Sequence, residues 1–334
     1  MEQIDFESLK FIIKESVGKR ALITFHSRGD MDSVASAVAL SGYLKGAVVA
    51  TPDIISANAA RVLRHFGVPP ESINNTFPPK PDMVIMLDVN NFEDCGPFKY
   101  HLEEFQGQIL VVDHHVKRDI RSPNVTIFND EGYNSASSIV FDLLQSLEFK
   151  LGPDTAGLLL AGILSDSADL KNSMAGTFTQ IGRLLRTAGL DYVEVMDLLN
   201  HVADPAARLK TINDIRGAEM EIRGDFLLMH GHAHAHANIA ADMGIKIGAD
   251  LAIFYTDNGS EVSFSARLRP PLDKRYGIHL GSIMQALSKH INGSGGGHPA
   301  AAGAYGPPSN DPKLFVAEVL AEVERRLPDG KHNR

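Results

Sequence analysis

The chain has no tryptophan, a single cysteine (Cys95), and no apolar run of the roughly 18 residues that a membrane-spanning helix needs. One cysteine excludes an internal disulfide framework and fits a reducing, cytoplasmic compartment. The N-terminal stretch MEQIDFESLKFIIKESVG lacks the basic region and apolar run of a signal peptide and carries acids at amphipathic spacing. Positive charge is also scarce: 32 Lys and Arg stand against 41 Asp and Glu, a formal net charge of −9. Proteins that track long nucleic acid show a basic footprint and, on single strands, aromatic stacking platforms. With 7% aromatic residues and this acidic balance, a small or short anionic substrate held by a few placed groups is expected.

The rest of the composition, 44% hydrophobic and 22% charged over 334 residues, is that of a globular protein of about two domains. In the first half, short apolar runs alternate with helical patterns. ALITF (21–25), AVVA (47–50), MVIMLD (83–88), QILVVD (108–113) and NVTIF (124–128) read as strands. Alternation with helices predicts a parallel sheet, and continuous apolar strands predict burial on both faces. Residues 135–200 read as helical. A long helix is expected over 205–222, then strands at FLLM, DLAIFYT and EVSFSARL and helices over 279–291 and 312–326. The expected organisation is a parallel-sheet domain over 1–200, a helical linker over 201–222 and a smaller α/β domain over 223–334.

The strand ends carry the chemistry. ALITF runs into His26, Arg28, Asp30 and Asp32; MVIML into Asp88; QILVV into Asp113, His114 and His115; helical GILS into Asp166. Sites in open α/β sheets form at the carboxyl ends of the strands, so these groups are predicted to converge. Carboxylates and imidazoles without thiolate suit Mn²⁺, Mg²⁺ or Zn²⁺. Several acids crowded together raise one another's pKa, and divalent cations relieve that repulsion. A pair of such ions serves in-line displacement at phosphorus.

His26-x-x-x-Asp30-x-Asp32, the strand-end Asp88, Asp113-His114-His115 and Gly162-Ile163-x-x-Asp166 resemble the four ordered motifs of the DHH phosphoesterase superfamily over about residues 20–170. The resemblance implies two catalytic cations, Mn²⁺ or another divalent ion such as Mg²⁺. One would take His26, Asp30 and Asp88; the other Asp32, Asp88, His114 and Asp166, with Asp88 bridging. Asp113 and His115 would orient a ligand or face phosphate, and with Asp88 form the catalytic group. Motif four departs from the family pattern by reading Ser167 after Asp166. Motif one departs by placing Met31 between the acids, where its bulk is expected to narrow the entrance.

Downstream, GSGGGHPAAAG (293–303) offers glycine backbone for close approach to an anion, or forms a flexible loop. Arg267 and Arg269 fall on one face of a strand by period-2 alternation, and arginine forks suit phosphate. Together these resemble the DHH-associated C-terminal domain over about residues 225–327. That resemblance implies that Arg267, Gly295, Gly296, Gly297 and His298 grip a nucleotide's phosphate and sugar, with the active site in the cleft between the domains. It also counts against the family's pyrophosphatases, which carry a different C-terminal domain.

The implied activity is Mn²⁺-dependent hydrolysis of short nucleotides by metal-activated hydroxide. The substrates would be oligoribonucleotides degraded from 3′ to 5′, adenosine 3′,5′-bisphosphate (pAp), or both. A RecJ-like single-strand exonuclease, a cyclic-dinucleotide phosphodiesterase and a non-catalytic nucleotide-binding or replisome-associated scaffold remain alternatives. Homodimers are common in the family. The run HGHAHAH, with His230, His232, His234 and His236, is either an accessory metal or phosphate site or a strand end with chance histidines; if extended, it puts all four on one face.

Overall fold

The computed structural model describes residues 2–116, 120, 122–167, 170, 173–200, 205–234, 236–308 and 311–327. The chain forms two compact units, residues 1–201 and 202–334. The first runs β1 (Glu2–Gln3), α1 (Phe6–Lys14), β2 (Ala21–Thr24), α2 (Met31–Tyr43), β3 (Val48–Val49), α3 (Ala57–His65), β4 (Met83–Leu87), α4 (Lys99–Glu104), β5 (Gln108–Asp113), β6 (Val125–Asn129), α5 (Ala136–Ser146), α6 (Pro153–Asp166), α7 (Ala175–Ala188) and α8 (Tyr192–Leu199).

Its six strands are parallel in the order β1-β6-β5-β4-β2-β3. Period-2 alternation explains why the strand sequences are apolar throughout. Ile23, Ile85, Leu87, Leu110 and Val112 point into one core, with the helical residues Leu40, Ile139 and Leu160. Leu22, Val84, Met86, Ile109 and Val111 point into another, with Phe92, Phe98 and Leu102. The register pairs Leu87 with Val112, so the chain leaves β4 and β5 side by side, at Asp88 and Asp113. β4 lies between β2 and β5, which places Asp88 centrally among the strand-end groups. Strand β1 was not expected; two residues are too short to show a period, and they pair with β6 through the backbone and through the Gln3 side chain, whose Nε2 donates to Asn129 O at 3.3 Å.

The second unit runs α9 (Pro205–Arg216), β7 (Glu219–Arg223), β8 (Phe226–His232), α10 (Ala237–Lys246), β9 (Leu251–Asp257), β10 (Val262–Leu268), α11 (Leu272–Tyr276), α12 (Leu280–Leu287), β11 (Ser294–Gly297), β12 (Ala301–Gly306) and α13 (Pro312–Glu324). Its sheet, ordered β11-β12-β10-β9-β8-β7, is mixed: β8 and β9 are parallel across the α10 crossover, and the other neighbours are antiparallel. The helix expected over 205–222 stops at Arg216. Gly217 breaks it, and Glu219–Arg223 pair with β8 across a two-residue Gly224-Asp225 turn in which Gly224 has φ 59°. The glycine run is an edge strand, not a loop. Among the described residues no helix is long and apolar enough to cross a membrane.

Candidate metal centre

Each group of the cluster is placed by a local rule. Asp30 is the N-cap of α2: its Oδ1 accepts from the Ser33 N–H at 3.1 Å, while its Oδ2 lies 3.3 Å from His26 Nε2. Asp32, fully buried in the first turn of α2, is held by another helix. The N–H groups of Ala136 and Ser137, which open α5, donate to Asp32 Oδ2 at 2.7 Å and Oδ1 at 2.8 Å. Two helix N-termini thus meet at the cluster, and their partial positive charge favours carboxylates there. Asp166 closes α6, whose approach needs Gly162: a Cβ there would lie 2.2 Å from Ser137 Oγ and 3.1 Å from Asp32 Oδ1. Asp88 leaves β4 with φ 57°, a left-handed conformation rare outside glycine and tolerated by Asp at a cost of about 1–2 kcal/mol.

That strained turn aims the two oxygens of Asp88 in different directions. Oδ2 lies 3.5 Å from His26 Nε2, and Oδ1 lies 3.3 Å from His114 Nε2. His114 Nε2 is also 3.2 Å from Asp166 Oδ2 and 4.0 Å from Asp32 Oδ2. Three groups of donor atoms result, each within 4.8 Å of one another: His26, Asp30 and Asp88; Asp32, His114 and Asp166; and Asp88, Asp113, His114 and His115. All six residues expected as ligands therefore meet at the carboxyl edge of the sheet.

Electrostatics match a cation site. Burial pushes the imidazoles of His26 and His114 towards the neutral form, but the carboxylates around them win. Asp30 and Asp88 raise His26 to about 10; Asp166 and Asp88 raise His114 to about 11. Burial also disfavours the charged form of Asp30, yet His26 and the Ser33 cap hold it down at about 2. The acids of the other group are pushed up: Asp32 by burial, Asp88 and Asp166; Asp166 by burial and Asp88, against the opposing pull of His114. Asp88 Oδ1 and His114 Nε2 are buried and have no hydrogen-bond partner among the described residues. Nitrogen and oxygen donors, crowded acids and unpartnered buried lone-pair atoms fit a divalent cation of the Mn²⁺, Mg²⁺ or Zn²⁺ kind.

Asp113 is fully buried; its Oδ1 lies 3.0 Å from His115 Nδ1, and its Oδ2 accepts from Asn90. It raises the pKa of His115, whose ring is half exposed. Asn90 also donates to Val116 O at 3.1 Å, and Asn129 donates to His115 O at 2.9 Å. Neither amide is among the expected site residues; they carry no charge, and only the DVNN context after β4 hints at Asn90. Met31, expected to narrow the entrance, is instead buried in the core of the first unit. Cys95 is buried, and burial raises its thiol pKa, so it is no nucleophile.

The residues expected to hold substrate lie in the second unit. Gly295–Gly297 form β11, and exposed His298 follows in the turn to β12. A Cβ at Gly295 would lie 2.6 Å from Met284 O, and one at Gly297 2.6 Å from Ala301 O, so packing accounts for both; at Gly296 it would meet nothing within 4 Å. Arg267 is less free than expected: its Nε donates to Asp242 Oδ1 at 2.6 Å. Arg269, just past the end of β10, donates to Asp250 at 2.6 Å.

Residues 20–163 match the family described as "DHH family, N-terminal domain", and residues 229–326 match "DHHA1 domain". An uncharacterized protein of Methanocaldococcus jannaschii is 26% identical over 333 residues, covering 96% of this chain and 97% of its own. A probable manganese-dependent inorganic pyrophosphatase of Streptococcus equi subsp. zooepidemicus is 28% identical over 159 residues, 46% of this chain and 50% of that protein. An exopolyphosphatase-related protein from Bacteroides fragilis shares the fold with a TM-score of 0.75 at 14% identity, covering 96% of this chain and 95% of that one.

Proposed function

This chain belongs to the DHH phosphoesterase superfamily, whose members are metal-dependent phosphoesterases, and on that premise we propose that it is a manganese-dependent hydrolase of short nucleotides. Its substrates in this reading are linear oligoribonucleotides a few residues long, shortened from the 3′ end, adenosine 3′,5′-bisphosphate, which loses its 3′-phosphate, or both. The observation that carries the reading is Asp88, whose two oxygens face separate donor sets. In this reading His26, Asp30 and Asp88 would hold one cation, and Asp32, Asp88, His114 and Asp166 the second. The donor chemistry admits manganese, and the name of the streptococcal relative favours it. When bound, such a pair supplies Lewis acidity that lowers the pKa of a water molecule and offsets charge on the phosphoryl group.

The protein's own groups do the rest. Asp113 fixes the ring of His115 and favours the protonated form of that half-exposed imidazole, the form suited to a phosphoryl oxygen. Asn90 and Asn129 fix the backbone that carries it. In the second unit, Gly296, whose missing side chain packing does not explain, leaves β11 open to a nucleotide, with His298 beside it and Arg267 shared between Asp242 and phosphate. The net charge of −9 supports a short substrate over a long strand. The C-terminal match to a DHHA1 domain, with a pyrophosphatase likeness that spans half of that relative, supports a nucleotide substrate over pyrophosphate.

The test is a substrate panel with Mn²⁺: a dinucleotide, a five-residue RNA, a long single-stranded DNA, a cyclic dinucleotide, pyrophosphate and adenosine 3′,5′-bisphosphate, with Asp88→Ala as control. Rapid loss of the short linear substrates or the bisphosphate, abolished in the control, is the expected result. Preference for the long strand, the cyclic substrate or pyrophosphate refutes it, as does binding without hydrolysis.

A further inference from the structure

The histidine run has a structure of its own within the second unit. It occupies the end of β8 and the short link to α10, and three of its rings have defined surroundings. His230 Nε2 lies 3.4 Å from Glu221 Oε1 on the paired strand β7. His232 stands with its ring centre 5.0 Å from that of His234 and 5.2 Å from that of Tyr255. His234 is held by Asp214, the buried residue of α9: Asp214 Oδ2 accepts from the His234 backbone N–H at 3.2 Å, and Oδ1 meets the ring at Nδ1.

This is not how an accidental exposed histidine sits. The Asp214 side chain is 3% exposed and that of His234 is 66% exposed, so a buried carboxylate grips a ring that projects into solvent. An ionised carboxylate only accepts, so Nδ1 carries the proton and the neutral ring keeps its lone pair on Nε2, the outer nitrogen. A carboxylate behind an imidazole in this way fixes tautomer and ring direction and raises basicity, the arrangement found behind metal-ligating histidines. The spacing to the second ring fits as well. Two imidazoles on one zinc-like ion, with Zn–N of about 2.1 Å and a near-tetrahedral angle, have ring centres about 5 Å apart.

We infer that His232 and His234, with Asp214 behind His234, form an accessory binding site for a borderline transition-metal cation such as Zn²⁺, Ni²⁺ or Cu²⁺. Water or another group of the run completes the coordination. With two imidazoles and no carboxylate among its ligands, the site selects against Mg²⁺ and Mn²⁺, which prefer oxygen donors and stand low in the affinity order for such sites. It is chemically distinct from the acid-rich centre of the first unit and does not depend on the phosphoesterase reading.

The test is equilibrium dialysis of the full chain against Zn²⁺ at pH 7.5. The His232→Ala/His234→Ala double variant is expected to bind one Zn²⁺ fewer than the parent, and Mn²⁺ binding should be the same in both. Asp214→Asn should keep the stoichiometry but weaken that one equivalent about 10–100-fold, the usual effect of removing a supporting carboxylate. A loose histidine run would ignore Asp214. Equal Zn²⁺ counts in parent and double variant overturn the inference, as does an unchanged affinity in Asp214→Asn. Should Asp214→Asn fail to fold, His234→Ala alone decides: it replaces an exposed ring, and retention of the extra Zn²⁺ refutes the site.

Discussion

Gly162→Ala tests how the second cation group is positioned. Gly162 lies within α6, where replacing glycine by alanine normally stabilises a helix by about 1 kcal/mol. Here the new Cβ would meet Ser137 Oγ at 2.2 Å, Ser137 Cβ at 3.0 Å and Asp32 Oδ1 at 3.1 Å. Overpacking of this kind costs about 1–3 kcal/mol, so the net effect is destabilisation by up to roughly 2 kcal/mol. The same displacement pulls the Ser137 N–H, now 2.8 Å from Asp32 Oδ1, off the carboxylate, so Mn²⁺ affinity should fall as well. Urea unfolding of the metal-free and Mn²⁺-loaded chain reads both, and the loss should be larger with metal. Ser137→Ala removes the 2.2 Å contact and should recover part of the loss, a coupling on the order of 1 kcal/mol. Additive effects, or a Gly162→Ala chain stabilised by the full helix gain, would refute the account of why glycine is required.

The raised imidazole pKa values fix a pH dependence. In the metal-free chain His26 and His114 stay protonated up to about 10 and about 11. Their charged forms stabilise the fold fully below the unfolded value of about 6.5, and that contribution is lost as pH rises through the folded values. Metal-free Tm should therefore fall from neutral pH towards pH 10, whereas the loaded chain, with neutral ligand nitrogens, should show a flatter profile. Metal loading near pH 7.5 should release about two protons, read by calorimetry in buffers of different ionisation enthalpy; no release contradicts the ligand assignment. Asn90→Ala frees Asp113 and the backbone at Val116 and should lower turnover about 10–100-fold with the fold intact by circular dichroism. Gly295→Ala, meeting Met284 O at 2.6 Å, should lower Tm, whereas Gly296→Ala should leave Tm unchanged and raise KM; equal Tm values would refute the distinction.

The sheet of the first unit was legible because burial on both faces writes itself as uninterrupted apolar strands. The acids and imidazoles were legible because each follows such a strand or closes a helix. What the sequence hid has identifiable causes. The hold of α5 on Asp32 is made by backbone N–H groups 104 and 105 positions away, which no side-chain pattern records. Asn90 carries no charge, and its role appears only once Asp113 is seen buried beside it. β7 was absorbed into the preceding helical pattern because Met220 and Ile222, alternating on an edge strand, are both exposed and give no core-facing signal. β11 has almost no side chains from which to read a period, and its Gly295 and Gly297 answer to the backbone of α12 and β12. Met31 falls between two acids yet turns inward, since the first turn of α2 presents successive residues to different sides.

The most direct test of the central claim, that Asp88 joins two cations, is a Mn²⁺ titration followed by electron paramagnetic resonance. The account predicts two Mn²⁺ per chain with the spectrum of an exchange-coupled pair, and loss of that coupling in Asp88→Asn, which keeps the left-handed turn and removes the charge. A single bound Mn²⁺, or two magnetically independent ions in the unaltered chain, would contradict it.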